Sequence, residues 1–414
     1  MAKNNDKIQP WKVVAFVLAA ALAVFSFTYG VTSLGKKESG YHTVEVRTED
    51  QAEVFDSGLT FTYYAEGSSN EIKHVLNAVK DAYSDALTTN HKLLEPAKTY
   101  PDCVNLASVN EAMGEPVQIT RPLFNILRDA YEKTLERNGF NMFAGALFSE
   151  WQTLLYLENP EEFDPLNDEN ERNRIRDIAG ITRNLDHFSF EILDEEKCVI
   201  RFDVSEEYLS FLKEYEIASP VLNLGMMRDA YLLQAVGEEM AQKGFVNGYL
   251  TTQTGLVLSL EEGKAQELCV YGSKNGKIGE IGSVPTVSPV CGAQFVAVPP
   301  LENAYGYYEI VKDGKTFYRH PFFDGANGEF QNLLFSLELV GENAVELRYH
   351  QLNLHTVKTQ EEADAYLHEN RICACYTLQK DDLPILYVSP DCAGAVQTIE
   401  GVRCVTGGAQ ESAE

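Results

Sequence analysis

Apolar positions recur along this chain in three patterns, and each predicts a different element. From Val13 to Leu34 they are continuous: VVAFVLAAALAVFSFTYGVTSL holds no charged residue, and a helix needs ~20 such residues to span the hydrocarbon core. From 59 to 66 they alternate, as LTFTYYAE, and predict a strand. After Gly67-Ser68-Ser69, Ile72, Val75, Leu76, Val79, Tyr83 and Leu87 fall at helical spacing, which predicts a helix of about five turns. A second helix is punctuated at both ends. Thr120 caps it, Pro122 sits in its first turn, Leu123, Leu127, Tyr131 and Leu135 form its stripe, and Asn138-Gly139 stop it.

Further along, 159–184 is rich in Asn, Asp, Glu and Arg and reads as a surface excursion. HFSFEIL (187–193) and CVIRFDV (198–204) flank Asp194-Glu195-Glu196-Lys197, a hairpin signal. Short helices are predicted near 205–216 and 226–243, and strands from about 247 to 356. Within that stretch YYEIV-KDGK-TFYRH is a hairpin, because Asp313-Gly314 supplies the positive-φ residues of a tight turn. Thr359 and Glu362 form a capping box before a helix carrying Ala363, Tyr366 and Leu367. The strand-like ICACYTL and PILYVS close the pattern. Helix pairs mixed with antiparallel meanders argue for an α+β fold of antiparallel sheets with packed helices.

Charge orients this plan. Lys3, Lys7 and Lys12 precede the apolar run and Lys36 and Lys37 follow it, so the bias toward a cytoplasmic N-terminus is weak. The arrangement is that of a signal-anchor: a short basic stub, one apolar segment, then everything else exported. A cleaved signal peptide is the alternative, but its apolar core would be ~7–15 residues with a small-residue cleavage site. The expected organisation is a cytoplasmic stub (1–12), a transmembrane helix (13–34), a linker (35–56), a globular domain (57–406) and a flexible tail (407–414). The protein is thus expected to be single-pass in the cell membrane, anchored through 13–34, with its domain extracytoplasmic.

The 414 residues carry 34 Lys+Arg against 62 Asp+Glu, a formal net charge of −28. That field disfavours nucleic acid and anionic lipid as partners, and does nothing to attract an anionic dinucleotide. The eight cysteines include no CxxC and fit no zinc template. Export permits disulfides, but strand-like contexts such as KCVIRF and ELCVYG favour buried thiols for most of them. Cys373 and Cys375 share one face of a strand, where a mutual bridge would be strained. His350 and His355 stand five apart in a strand-like run and so point to opposite faces, unable to share a metal. G-x-S-x-G, H-E-x-x-H and P-loop motifs are absent. Gly272–Gly276 has the length of a hairpin loop, and Glu158–Glu171 lacks calcium-loop spacing.

Five strings, in order, carry a family resemblance. They are TTNHKLLEPAKTYPDCVNLASVNEAMGEPVQITRPLF, GFNMFAGALFSEW (139–151), LNLGMMRDAYLLQ (222–234), KGFVNGYLTTQTG and YYEIVKDGKTFYRHPFFD. Together they resemble the ApbE family, the FAD:protein FMN transferases, over roughly 57–400. The resemblance implies an ApbE-like, T-fold-like domain, with FAD and magnesium as cofactors if the family activity is kept, and a flavoprotein acceptor as partner. Cutting FAD and passing FMN to a hydroxyl requires a grip on two phosphates and hard oxygen ligands for magnesium.

Most checkable positions depart from the family pattern. In the D-L-G-G-I-A-K-G-Y segment the Asp is Asn223, the second Gly is Met226, the Lys is Asp229 and the last Gly is Ala230; Leu224, Gly225 and Tyr231 remain. The G-G-D turn has become Gln253-Thr254-Gly255, and F-D-x-T has become Phe140-Asn141-Met142-Phe143. Past His320, Asp324 is a displaced remnant of D-P-x-T-G, and the metal-binding D-A-L-x-T falls on AVELRYHQL, where Glu346 is the nearest carboxylate. The candidate cofactor-binding residues are therefore Asn110, Phe140, Trp151, Tyr231 and His320, each weighed against a plain packing or turn-closing role. No catalytic residue and no metal ligand is assigned. Three readings stand: a degenerate ApbE-like ectodomain that binds a partner or ligand, an active transferase with relocated ligands, and an unrelated non-enzymatic surface domain. A lysine restored at 229 is expected to improve FAD binding.

Overall fold

The structure is a computed structural model that describes residues 38–274, 277–286, 291–298, 306–379, 385–392 and 395–406. The stub, the 13–34 span and the 407–414 tail lie outside these residues. Among the described residues no helix is long and apolar enough to cross a membrane.

Among the described residues nine strands build the main sheet, and their order across it is their order along the chain. Gly40–Val44 pairs with Leu59–Ala65, which pairs with Gly248–Thr252, and the sheet continues through Leu256–Ser259, Cys291–Val296, Leu334–Gly341, Cys373–Leu378 and Ile385–Val388 to Arg403–Thr406. Every neighbouring pair is antiparallel except the last. Segment 35–56, read from the sequence as a linker, thus supplies an edge strand.

Ser69–Leu93, Arg228–Gln242 and Ala344–Leu354 pack beside this sheet and share its large core. The first is longer than its apolar stripe suggested, 25 residues, and Ser68 and Glu71 cap it reciprocally. A second layer, the Gln266–Lys274 and Lys277–Thr286 hairpin with Gln397–Thr398, covers the far end of the sheet over a smaller core that includes Leu268, Val270, Ile281 and Leu386. The predicted hairpins all form: Phe188–Asp194 with Val199–Val204, and Tyr308–Lys312 with Lys315–Arg319 around Asp313 (φ 51°) and Gly314 (φ 73°). The α+β expectation holds.

Two local readings need correction. Residues 344–354 form a helix, so His350 and His355 are not on a strand. Its sides are nearly all buried, so it carries no amphipathic stripe for a periodicity reading to detect. The 159–184 excursion contains the helices Pro160–Phe163 and Glu169–Arg183, the latter capped by Asp168. Cys373 is joined to Cys392, 4.6 Å away between Cα atoms, while Cys198, Cys291 and Cys375 are buried free thiols.

One buried acid sits against the second layer. Glu338, in the Leu334–Gly341 strand, is wholly buried and accepts a hydrogen bond from Ser336 Oγ through Oε1 beside the Gln294 side chain, while Oε2 has no well-formed hydrogen bond among the described residues. Desolvation raises its pKa well above the ordinary value. Above ~4.3, the unfolded value, the unfolded chain loses this proton while the folded chain keeps it. Stability contributed here is complete below that pH and is lost as pH rises toward the folded pKa. Glu338→Gln should therefore unfold at a higher temperature than wild type at pH 8, with the difference vanishing near pH 4, as followed by circular dichroism.

Candidate functional site

A cleft of about 410 Å³ opens where five loop segments meet the helices Gly145–Leu155 and Arg228–Gln242. Close backbone approach builds it. A Cβ on Gly145 would lie 1.9 Å from the carbonyl oxygen of Pro220, so only glycine lets that helix start against the 219–226 loop. Ser219 Oγ donates to Gly145 O at 2.8 Å, and the backbone N–H of Asn223 to Met142 O at 2.9 Å. Asn223 Oδ1 then accepts from Gly225 N at 2.9 Å, and Gly225 takes φ +52°. Across the cleft, a Cβ on Gly255 (φ +88°) would lie 2.2 Å from Gln294 O, so this turn too excludes anything larger than glycine.

The segments that carry the family resemblance converge here. Asn223, Gly225, Met226, Asp229, Thr252–Thr254 and Pro321 all line the cleft. The five candidate residues do not. Asn110 is taken up by the backbone: Nδ2 donates to Pro96 O (3.1 Å) and Leu222 O (3.0 Å), and Oδ1 accepts from Leu222 N (2.9 Å). Its role is to hold the 219–226 loop. Phe140 is buried beside a minor crevice, and Tyr231 donates its hydroxyl to Asp129 at 2.6 Å. Trp151 donates Nε1 to Gly328 O at 3.0 Å and faces a separate groove.

His320 is fully buried and pairs with a residue that the sequence pattern had placed elsewhere. Its Nδ1 accepts from Phe322 N at 3.3 Å, which puts the remaining proton on Nε2, and its ring lies 5.2 Å from His355. His355 stacks on Phe322 and contacts Gln331 through Nδ1 at 3.1 Å. Burial drives the pKa of His320 well below its ordinary value and that of His355 to about 3, so both are neutral. Asn343 was the available signal for this pairing: it caps Val345 and Glu346 (2.8 and 3.1 Å) and starts the helix that delivers His355.

The chemistry of the cleft resides in two ion-pair groups that sequence reasoning missed. At the mouth, Arg228 bridges Asp56 (3.4 Å) and Glu95 (3.0 Å), and Asp56 also meets His91 at 2.9 Å. The His91 hydrogen bond, with Arg228 assisting, holds the Asp56 carboxyl well below the usual range. At the floor, Asp229 Oδ2 receives Arg348 Nη2 at 2.8 Å and the Thr254 hydroxyl. Arg348 is completely buried. It also donates to Thr254 Oγ1 (2.7 Å) and to Gln351, and lies 4.8 Å over the Phe322 ring.

Two departures from the family pattern are therefore one compensated change. Asp229 stands where the resemblance places Lys, and its partner Arg348 comes from AVELRYHQL, where the resemblance places metal ligands. The donors do not fit magnesium. Glu346 turns away from the cleft toward Lys133 at 2.7 Å, and Asp324 caps its own loop through Ala326 N at 2.9 Å. Among the described residues no group of three His, Cys, Asp or Glu can hold a metal ion. A pyrophosphate fares no better, since both arginines at the cleft already bind carboxylates.

The expectation that a lysine at 229 improves FAD binding is corrected by this geometry, because that lysine would face the buried Arg348. Removing one member of a buried pair costs about 3–5 kcal/mol, whereas replacing both with apolar groups is often neutral. In denaturant unfolding, Asp229→Ala should lose stability on that scale, Asp229→Lys at least as much, and Asp229→Leu combined with Arg348→Met should recover most of it.

Neither a protein-family profile nor a curated protein sequence matches the chain. Solved structures do. The fold is similar to the ApbE protein of Thermotoga maritima at 12% identity and a TM-score of 0.53, covering 88% of this chain and 97% of that one. It is similar to the apo flavinyl transferase ApbE of Pseudomonas stutzeri at 13% identity and a TM-score of 0.52, covering 84% and 93%. A mutant of the Vibrio cholerae flavin transferase ApbE aligns at 11% identity and a TM-score of 0.51, covering 86% and 98%. At these identities the likeness is one of architecture, and the chain has the fold of the ApbE flavin transferases.

Proposed function

We propose that this chain is a membrane-anchored, extracytoplasmic ApbE-like protein that binds a ligand or protein partner and does not transfer flavin. One observation carries the reading: the Asp229–Arg348 pair, 2.8 Å apart, occupies the floor of the cleft where transfer would need a free cation and metal-binding oxygens. Arg228, at the mouth, is likewise committed to Asp56 and Glu95.

What remains in the cleft suits capture rather than chemistry. Phe148, Tyr156, Met226 and Phe323 give apolar surface, while Gln152, Gln253 and Ser149 offer neutral hydrogen-bonding groups. Such a lining favours an uncharged or cationic group over a diphosphate. The charge-free 13–34 run supports the anchor. The Cys373–Cys392 bridge supports export, since disulfides persist in oxidising compartments.

The full-length protein in detergent, incubated with FAD, magnesium chloride and an acceptor protein of the flavinylated class, should leave the acceptor without covalent FMN, as read by in-gel fluorescence. Calorimetry with FAD should show no magnesium-dependent heat. Covalent FMN on the acceptor would restore the reading of an active transferase with relocated ligands. Protease added to intact cells should remove the domain and leave a short membrane stub; recovery of the whole chain from cytosol would refute the anchor.

A further inference from the structure

Beside the Ala326–Phe330 loop, and sharing no lining residue with the cleft, lies a groove of about 550 Å³, within the size range of small-molecule sites. Its wall is apolar: Trp151 meets Phe330 edge-on with centroids 4.6 Å apart, and Ile175 of the Glu169–Arg183 helix closes the side. The wall is rigidly held. Arg319 and Asp164 form a buried bidentate pair (2.7 and 3.2 Å), Tyr308 donates to the same carboxylate at 2.9 Å, and Arg174 clamps Glu150 from the opposite face of the helix.

The rim is cationic in a chain of net charge −28. Arg172, Arg176 and Arg183 are all exposed and line the groove from one stripe of the same helix. Arg172 donates only to the carbonyls of Pro165 (2.7 Å) and Leu166 (3.1 Å), and the Arg183 side chain makes no hydrogen bond or ion pair among the described residues. Arg176 contacts only its exposed neighbour Asp177 at 3.1 Å, a contact that water largely screens. Glu329 at the rim is drawn toward Lys358 at 3.3 Å.

Gly180 is the second observation. It lies inside the helix, takes ordinary helical geometry, and a Cβ there would meet nothing within 4 Å. Glycine in a helix interior is less stable than alanine, and nothing in the protein's own packing requires it here. It does line the groove, where its missing side chain leaves room.

From this cavity, its cationic rim and the vacant glycine, we propose that the groove binds a small amphipathic anion, an aryl or acyl body carrying one carboxylate or phosphate. The apolar body rests on Trp151 and Phe330 over Gly180, and the anionic end meets the guanidinium groups of Arg172 and Arg183, whose forked donors match either oxyanion. This site is separate from the cleft and does not depend on flavin chemistry.

The test titrates the full-length protein in detergent with 4-phenylbutyrate, 4-phenylbutyl phosphate and the neutral 4-phenylbutanol by calorimetry. At least one anion should bind about tenfold or more tightly than the alcohol, the scale of a charge-assisted contact. The Arg172→Gln/Arg183→Gln double variant should abolish that preference. Gly180→Ala should raise the thermal midpoint and keep binding, whereas Gly180→Phe should keep the midpoint and lose binding. Equal affinity for alcohol and anions, or unchanged affinity in Gly180→Phe, would overturn the proposal; a preference shown by only one of the two anions supports it and identifies the headgroup.

Discussion

Arg348 is the residue on which the centre of this structure turns. A completely buried guanidinium is tolerable only if its charge is met, and the molecule meets it, and gives both Nη nitrogens an acceptor while Nε is left without one among the described residues, with elements from three places in the chain. Asp229 comes from the start of the Arg228–Gln242 helix, Thr254 from the turn between two strands of the main sheet, and Gln351 from the same helix as Arg348. Asp229 and Thr254 line the cleft, and the Ala344–Leu354 helix backs them. The pair therefore fixes the site's shape and neutralises its charge in one interaction, which is why the floor offers neither a free carboxylate to a cation nor a free cation to a phosphate.

The same neutralisation appears at the mouth. Asp56, Glu95, Arg228 and His91 form a closed group in which opposite charges lie within 3.4 Å. Charged residues line the cleft without leaving it strongly charged, so its remaining selectivity rests on aromatic surface and neutral polar groups. The groove beyond Trp151 is built on the contrary principle. There the buried Arg319–Asp164 pair holds the hairpin to the preceding helices, and the cations of the rim are left to solvent. One molecule thus carries a neutralised cleft and a groove with a cationic rim, which share no lining residue.

Close-packed glycines and one buried asparagine fix the path of this chain around the cleft. Gly145 and Gly255 are held by backbone atoms closer than any Cβ allows, and Asn110 ties the 219–226 loop through three backbone bonds. Such constraints act on the path of the chain and are indifferent to the chemistry of the site.

Much of the fold was legible in the sequence alone. Alternation at 59–65, the stripe from Ile72 to Leu87, the Asp313-Gly314 turn and the Thr359–Glu362 capping box are local signals, each set by backbone geometry and nearest neighbours. The family strings at Asn223–Asp229 and Gln253–Gly255 likewise marked segments that do line the cleft. What escaped depended on partners distant in sequence. The Ala344–Leu354 helix, buried on nearly every side, lacks the one-sided apolar stripe that periodicity detects, and with it were lost the His320–His355 contact and the role of Arg348. Asn110, Phe140, Tyr231 and His320 looked like ligand contacts because their types suit one, yet their hydrogen bonds or their burial are taken up by the protein itself, and Trp151 lines a groove other than the cleft. Asp229 read alone is a charge reversal; only the tertiary structure, by setting Arg348 against it 119 residues away, decided that it is half of an ion pair, because a buried charge is defined by what surrounds it in space.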